Sequence, residues 1–336
     1  MRGVAVDGKG GPEVMRIADD LPVPVLKPTE VMIRVHATSV NRVDTVQRKG
    51  LAPVPPGASP ILGVEAAGVV ADVGAEVTEW KTGDRVMCLI PGGGYAEYAV
   101  ADQHTCLAVP PNMSWAAAAA TCETFLTAFQ AMKLNADVQP GDHVLIHAGA
   151  SGVGTAACQL CRHVLRATSI TTSSEGKVAE CAKYADHAVS RTKNESTGAQ
   201  FSDKVIEAIG GAKVNLVIDP VFGGGYLQEN AEVLAADGKI VVLAFMGGPT
   251  IPDFNAMPLF RKRAEIKFST LRSQPLAYQA RLVKAFREQC YAKLVDGSLS
   301  PVVQAVLPLA EVRKAHELIE SNDTVGKIVL FIVADE

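Results

Sequence analysis

Residues 143–155 read His-Val-Leu-Ile-His-Ala-Gly-Ala-Ser-Gly-Val-Gly-Thr, and no other stretch restricts the fold as tightly. His143 to His147 read as a short buried strand. Gly149, Gly152 and Gly154 then punctuate a turn, and an Ala-rich helix is expected from near Thr155. Strand, glycine turn and helix N-terminus together form a cradle for a pyrophosphate. Glycines let the backbone approach the phosphates, and the free N–H groups and positive dipole end of the helix attract an anion. The spacing G-x-G-x-x-G falls on Gly149, Ser151 and Gly154, so the middle glycine is a serine and Gly152 stands one place later. Glycine-rich turns are also common as plain structure. Here the flanking strand and helix favour a nucleotide site at Gly149, Ala150, Ser151, Gly152, Val153 and Gly154.

The order of elements agrees. From Val4 to about Trp115 the chain reads as short strands between Gly and Pro turns, with candidates at Val31–Val35, Val64–Val73, Arg85–Leu89 and Tyr95–Val100. A helical run over Ala116–Ala131 changes the grammar. Strand candidates at Thr168–Thr172, Val214–Asp219, Lys239–Phe245 and Ile266–Leu271 then alternate with helical stretches near Lys177–Ala185, Ser202–Ile209 and Gly225–Ala235. Such alternation predicts a parallel sheet covered on both faces. A long helix over Leu276–Leu294 follows, then a strand (Val302–Leu307), a helix (Leu309–Glu320) and a strand (Lys327–Val333). The fold class is α/β, an N-terminal β domain with a doubly wound insert, closed by the C-terminal tail.

At 336 residues two domains are the natural expectation, and 48% hydrophobic with 20% charged residues suits a compact globule. A net charge of −4 advertises no basic surface for nucleic acid or anionic membrane. Of seven cysteines, Cys158 and Cys161 have C-x-x-C spacing, but no second pair follows, so buried thiols are favoured over zinc. The N-terminus has no apolar signal core, and no apolar run reaches membrane-spanning length. A reducing, cytoplasmic setting is the expectation.

The second strand of the insert ends in Thr171-Thr-Ser-Ser-Glu-Gly-Lys177. Sites that prefer NAD usually place an acidic residue there for the ribose 2′-OH. Ser173, Ser174 and Lys177 are instead the donors that a 2′-phosphate needs. Glu175 argues the other way, and Ser173 or Ser174 has an alternative use as a helix cap. The balance favours NADPH.

Over nearly its whole length the chain resembles the zinc-independent quinone oxidoreductases of the medium-chain dehydrogenase/reductase superfamily, the zeta-crystallin-like branch, and above all its inducible, apoptosis-linked members. The landmarks are Asn41-Arg-Val-Asp44 with Gln47-Arg-Lys-Gly50, Pro55-Pro-Gly-Ala58, Ile61-Leu-Gly-Val-Glu-Ala-Ala-Gly68, Gly83-Asp84-Arg85 and Pro91-Gly-Gly-Gly-Tyr-Ala-Glu-Tyr98. Leu126-Thr-Ala-Phe-Gln130, the glycine turn itself, Leu271-Arg-Ser273 and Gly326-Lys-Ile-Val-Leu330 continue the series. The resemblance implies a GroES-like β domain (1–120 and 297–336), a Rossmann domain (121–296) and a homodimer formed through edge strands of the Rossmann sheet. Zinc-dependent relatives carry a cysteine where this chain has Asn41 and a histidine where it has Val64. Neither residue is a good zinc ligand.

The resemblance also implies site residues. Asn41 and Asp44 border the nicotinamide and substrate cleft as catalytic residues, though Asn41 also suits a turn and Asp44 a helix cap. Thr127 lies against the nicotinamide and the substrate, as does the expected strand end Phe245-Met246-Gly247 against the nicotinamide. Ala52 replaces a tyrosine of the substrate loop. Arg191 stands near a lost tyrosine beside the 2′-phosphate and would bind it bidentately. Leu271 and Asn322 match positions close to the cofactor. The expected reaction is hydride transfer from NADPH to a quinone or activated alkene, with one-electron steps implied by likeness, no zinc, and a solvent proton completing it. The residues single out no tuned general acid. Two alternatives stand: an enone or 2-enoyl thioester reductase, and a non-enzymatic crystallin-like or RNA-binding protein, against which the acidic balance counts.

Overall fold

A computed structural model describes residues 1–251 and 253–332. The chain divides into two units, Met1–Leu126 with Leu271–Glu336, and Thr127–Thr270.

The second unit is built on a six-stranded sheet whose order is His187–Ser190, Thr168–Ser173, His143–His147, Val214–Asp219, Leu234–Val242 and Glu265–Phe268. Every pairing is parallel. The chain moves outward one way from His143–His147 and then returns to move outward the other way. The order therefore reverses between His143–His147 and Val214–Asp219, the switch point at which doubly wound sheets bind ligands. Leu145, Ile170, Val217 and Ile240 are fully buried at the sheet's centre, each contributing about 1.5–3 kcal/mol of apolar burial.

Several boundaries move for local reasons. The helix after the glycine turn is Gly152–Leu160, three residues earlier than expected, because the Ser151 hydroxyl caps it by accepting from Gly154 N–H at 3.0 Å. It continues as a π-helical turn, Cys161–Leu165, that ends at Arg166 with φ 56°. Cys158 and Cys161 are buried thiols, and Cys161 Sγ lies 3.7 Å from Met132 Sδ. The expected helix over Lys177–Ala185 shortens to a 3₁₀ turn, Glu175–Lys177, and one α turn, Val178–Cys181. Strand Leu234–Val242 starts and ends before the expected Lys239–Phe245, and the outermost strand is Glu265–Phe268 rather than Ile266–Leu271.

In the first unit, a seven-stranded sheet is organised around its longest strand, Glu30–Val40, which pairs antiparallel with Glu65–Val73, Tyr98–Asp102 and Lys327–Phe331. Tyr98–Asp102 begins later than the expected Tyr95–Val100. Arg85–Leu89 and Cys106–Ala108 extend one side, and Val303–Pro308 lies outside Lys327–Phe331. The C-terminal strand places Ile328 opposite Val40, and Val333, expected at its end, lies outside the described residues. The expected single helix over Ala116–Ala131 is interrupted. Trp115–Ala119 stops where Thr121 Oγ1 donates back to the Ala117 carbonyl at 2.7 Å, and Cys122–Phe129 and a π-helical stretch, Gln130–Asn135, follow. The long helix, Leu276–Val295, belongs to the first unit, whereas the expected boundary at 296 gave it to the cofactor domain.

Candidate functional site

The glycine turn occupies the carboxyl end of His143–His147, at the switch point. Ala148 takes the left-handed conformation, φ 53°, so the three glycines are not there for positive φ. They are there for close approach. A Cβ on Gly149 would sit 2.4 Å from Thr171 Cβ, and one on Gly154 would sit 2.6 Å from the Ala148 and Gly149 carbonyl oxygens. Gly149 N–H donates to the Thr172 carbonyl at 3.0 Å, which ties the turn to the neighbouring strand. Since Ser151 satisfies Gly154 N–H and its carbonyl accepts from Thr155 N–H at 2.9 Å, the helix leaves its first N–H groups, on Gly152 and Val153, for an incoming anion. The serine in the second-glycine place is thus the N-cap. Ala150 is buried beneath the turn. This geometry fits a dinucleotide's pyrophosphate.

The floor under the turn is polar. His147 is fully buried, with Nδ1 2.8 Å from Thr172 Oγ1 and Nε2 2.7 Å from Asn230 Oδ1. Asn230 donates to Asp219 Oδ2 at 2.8 Å, while Asp219 Oδ1 accepts from the N–H groups of Val221 and Phe222. Burial holds the His147 pKa below its ordinary value, so the ring is a neutral hydrogen-bonding link between three strand ends.

The next strand end brings together most of the residues expected at the 2′-phosphate. Ser190 pairs with Ser173, and Arg191 N–H donates to the Ser173 carbonyl at 2.8 Å. The Ser173 side chain is 5% exposed and donates to the Ser174 carbonyl at 3.0 Å, so it is engaged internally. Ser174 stands at the N-cap position of Glu175–Lys177 with no side-chain capping bond. Lys177 is half-buried, and Arg191 and Glu175 are exposed.

Phe245, Met246 and Gly247 lie in the loop beyond Leu234–Val242 and not on a strand end. Met246 and Gly247 N–H groups donate to the Pro220 and Val221 carbonyls at 3.1 and 2.8 Å, folding the loop over the Asp219 strand end. Phe245 is 47% exposed and packs edge-on to Phe222 at 5.3 Å between ring centres. Thr127 is half-buried on helix Cys122–Phe129.

In the first unit, Asn41 and Asp44 stand at the start of helix Arg42–Arg48. Asp44 is fully buried: Oδ2 accepts from Asn41 N–H at 2.8 Å and Tyr95 Oη at 3.2 Å, and Oδ1 from Gly63 N–H at 3.0 Å. Burial raises its pKa to about 6 against the lowering effect of those donors. Tyr95 Oη also lies 3.1 Å from His316 Nε2, and Arg48, 1% exposed, reaches His316 Nδ1 at 2.9 Å and both Glu320 oxygens at 2.8 Å. Burial and Arg48 push His316 down to about 3.

The Asn41 side chain is equally engaged. Nδ2 donates to Glu65 Oε1 at 2.9 Å, and Oδ1 accepts from Lys327 Nζ. Lys327 also donates to the Val40 carbonyl at 3.1 Å and pairs with Glu65 Oε1 at 3.1 Å, their side chains 5% and 1% exposed. Glu65 additionally accepts from Ser39 Oγ and, through Oε2, from Glu123 N–H at 2.9 Å. Val64, beside Glu65, is buried and apolar. Among the described residues, no group of three or more His, Cys, Asp or Glu side chains is arranged to hold a metal ion.

The remaining expected residues are dispersed. Ala52 is half-buried in the irregular segment after helix Arg42–Arg48, and Leu271 is buried with its carbonyl accepting from Gln279 Nε2 at 3.1 Å. Asn322, in the left-handed conformation (φ 60°), ends helix Val312–Ser321 and accepts from Arg42 Nη2 at 2.7 Å. Glu65, Glu123, Arg272 and Lys327 carry no role in the sequence reading. The signal for Lys327 is a charge set directly before the apolar run Ile328-Val-Leu-Phe331. Glu123 corrects the expectation that no tuned acid exists: burial, and after it the neighbouring Glu65 charge, raise its pKa to about 8.

Comparisons with known proteins add the following. An alcohol dehydrogenase GroES-like domain model matches residues 27–111, and a zinc-binding dehydrogenase model matches residues 179–330. A quinone oxidoreductase from Sus scrofa is 31% identical over 335 residues, covering 99% of this chain and 98% of its own. The solved structure of an Escherichia coli quinone oxidoreductase complexed with NADPH matches with TM-score 0.85 at 26% identity, covering 99% of this chain and 100% of that one. A solved NAD-dependent alcohol dehydrogenase matches with TM-score 0.85 at 30% identity and the same coverage.

Proposed function

The chain belongs to the zeta-crystallin-like quinone oxidoreductases of the medium-chain dehydrogenase/reductase superfamily, and we propose that it reduces quinones with NADPH and without a bound metal. It is an oxidoreductase with a GroES-like unit and a Rossmann unit. The observation that carries the cofactor reading is the capped, glycine-bounded helix start at the switch point, next to a strand end with serine and cationic donors. Gly152 and Val153 N–H groups would hold the pyrophosphate. Ser174, Lys177 and Arg191 would hold the 2′-phosphate, with Ser173 shaping the strand end through its internal bond. The loop at Phe245, Met246 and Gly247 and the half-buried Thr127 would receive the nicotinamide end, as the resemblance implies. When bound, the nicotinamide supplies a hydride.

The metal-free reading is supported by the chemistry of the donors. Val64 offers no ligand, and both ends of the Asn41 amide are held by Lys327 and Glu65. Asp44, with its carboxylate holding the Gly63 turn and the start of helix Arg42–Arg48, serves as a positioning residue. A homodimer belongs to the same reading, supported by the edge strand Glu265–Phe268, exposed along its length with Phe268 at 59%.

Fluorescence titration with NADPH and NADH tests the cofactor, and a steady-state screen of quinones against 2-enoyl thioesters tests the acceptor. NADPH is expected to bind more tightly, and Lys177→Ala to raise KM for NADPH far more than for NADH. Tighter NADH binding overturns the cofactor assignment, and turnover confined to enoyl thioesters overturns the acceptor.

A further inference from the structure

Among the described residues, four buried side-chain polar atoms lack a hydrogen-bond partner: Arg85 Nε, Glu123 Oε2, and Arg272 Nη1 and Nη2. Three of the four belong to two residues of the first unit. Buried polar groups are nearly always paired, so two such residues in one unit call for a ligand chemistry that uses them. Both are held from behind. Arg272 Nε donates to the Pro91 carbonyl at 2.7 Å, which fixes the guanidinium and leaves the terminal fork. Glu123 gives its backbone N–H to Glu65 Oε2 at 2.9 Å, and Glu65 is fixed in turn by Lys327.

Among the described residues the two do not form an ion pair within 4.0 Å, yet each feels the other's charge. A simple structural pair would have closed into a bidentate bridge. A guanidinium fork and a carboxyl left apart in the protein interior suit an oxygen that first becomes negative and then accepts a proton.

We propose that Arg272 and Glu123 form the acceptor-oxygen site, with the Arg272 fork holding a carbonyl oxygen of the acceptor and Glu123 Oε2 delivering its proton. This rests on the quinone-reductase reading above. The acceptor takes up a hydride and its two electrons and becomes a hydroquinone monoanion. Its anionic oxygen is stabilised by the Arg272 nitrogens. The O–H bond of Glu123 then breaks as the new O–H bond of the hydroquinone forms, and the Glu123 carboxylate regains a proton from solvent. With a carboxyl pKa raised to about 8, Glu123 carries that proton at neutral pH.

The probe is 4-nitrophenol, whose yellow phenolate band reports an aromatic oxyanion directly. The wild-type protein is expected to bind the phenolate, Arg272→Gln to weaken binding at least tenfold, and Arg272→Lys to keep part of it. Glu123→Gln is expected to keep phenolate binding, lower kcat for a quinone about 10²-fold or more, and abolish the fall of kcat above about pH 8. The inference is overturned if the wild type binds no phenolate or if folded Arg272→Gln and Arg272→Lys bind it as well as wild type. It is equally overturned if Glu123→Gln keeps the wild-type kcat and pH profile. A wild type that binds the phenolate at Arg272 but turns over no quinone with NADPH would remove the quinone-reductase reading alone.

Discussion

Replacing Lys327 with Met removes a charge while keeping most of the side chain's length and apolar volume. Lys327 and Glu65 are 5% and 1% exposed with 3.1 Å between charged atoms. Breaking such a pair by deleting one member leaves the other charge buried and uncompensated, which costs about 3–5 kcal/mol. Glu65 retains three donors, Ser39 Oγ, Asn41 Nδ2 and Glu123 N–H, so the expected loss lies near the lower end, about 3 kcal/mol. The double variant Lys327→Met/Glu65→Gln removes both charges and is expected to recover about 2 kcal/mol of that. Both tryptophans, Trp80 and Trp115, lie in the first unit, so urea unfolding followed by tryptophan fluorescence reads the unit that contains the pair. The reasoning fails if Lys327→Met costs less than about 1 kcal/mol, or if the two substitutions are additive, because a coupled buried pair cannot give either result.

Stability should also report the Glu123 carboxyl. Its pKa is raised from 4.5 to about 8, so the folded protein holds a proton that the unfolded chain releases; the contribution is fully present below pH 4.5 and is lost as pH rises through 8. Glu123→Gln, permanently neutral, should therefore gain on wild type between those limits, by on the order of 3 kcal/mol at pH 7; urea midpoints with a pH-independent difference would contradict this. Gly154→Ala is expected to weaken NADPH binding at least tenfold and to lower stability by about 1–3 kcal/mol, because the new methyl meets the Ala148 and Gly149 carbonyls at 2.6 Å. Unchanged isothermal titration and melting curves for that variant would show that the turn tolerates what the geometry forbids.

The parts legible in the sequence are those in which a local backbone demand selects the residue. The turn at Gly149 and Gly154 is one, since each glycine sits where a Cβ would meet neighbouring atoms. Strands His143–His147 and Val214–Asp219, buried on both faces, are another. Strand His187–Ser190 escaped notice because all four residues are half-buried; it offers neither an apolar run nor an alternation and exists through its pairing with Thr168–Ser173. Lys239–Phe245 reads as one strand because apolar letters continue past Val242, yet Phe245 packs against Phe222 and Phe268 in a loop. The buried network was visible only as letters. Glu65, Glu123, Arg272 and Lys327 stand far apart in the chain, and no periodicity links an acid on one strand to an ammonium on another.

That network bears on why an Asn is suited to position 41. A lysine ammonium has three donors, and those of Lys327 meet the Val40 carbonyl, Asn41 Oδ1 and Glu65 Oε1. The positive charge that Glu65 and the Asn41 carbonyl require is therefore supplied by the chain itself. With all three hydrogens engaged, the ammonium has none left to polarise an acceptor, so its role is positional. It fixes Glu65, which holds the Glu123 backbone, and it fixes the amide at the start of helix Arg42–Arg48. On the proposed reading, activation of the acceptor passes to Arg272 and Glu123, the two side chains whose terminal atoms the fold leaves unengaged. A quinone, whose carbonyls are already electrophilic, asks for no more than that.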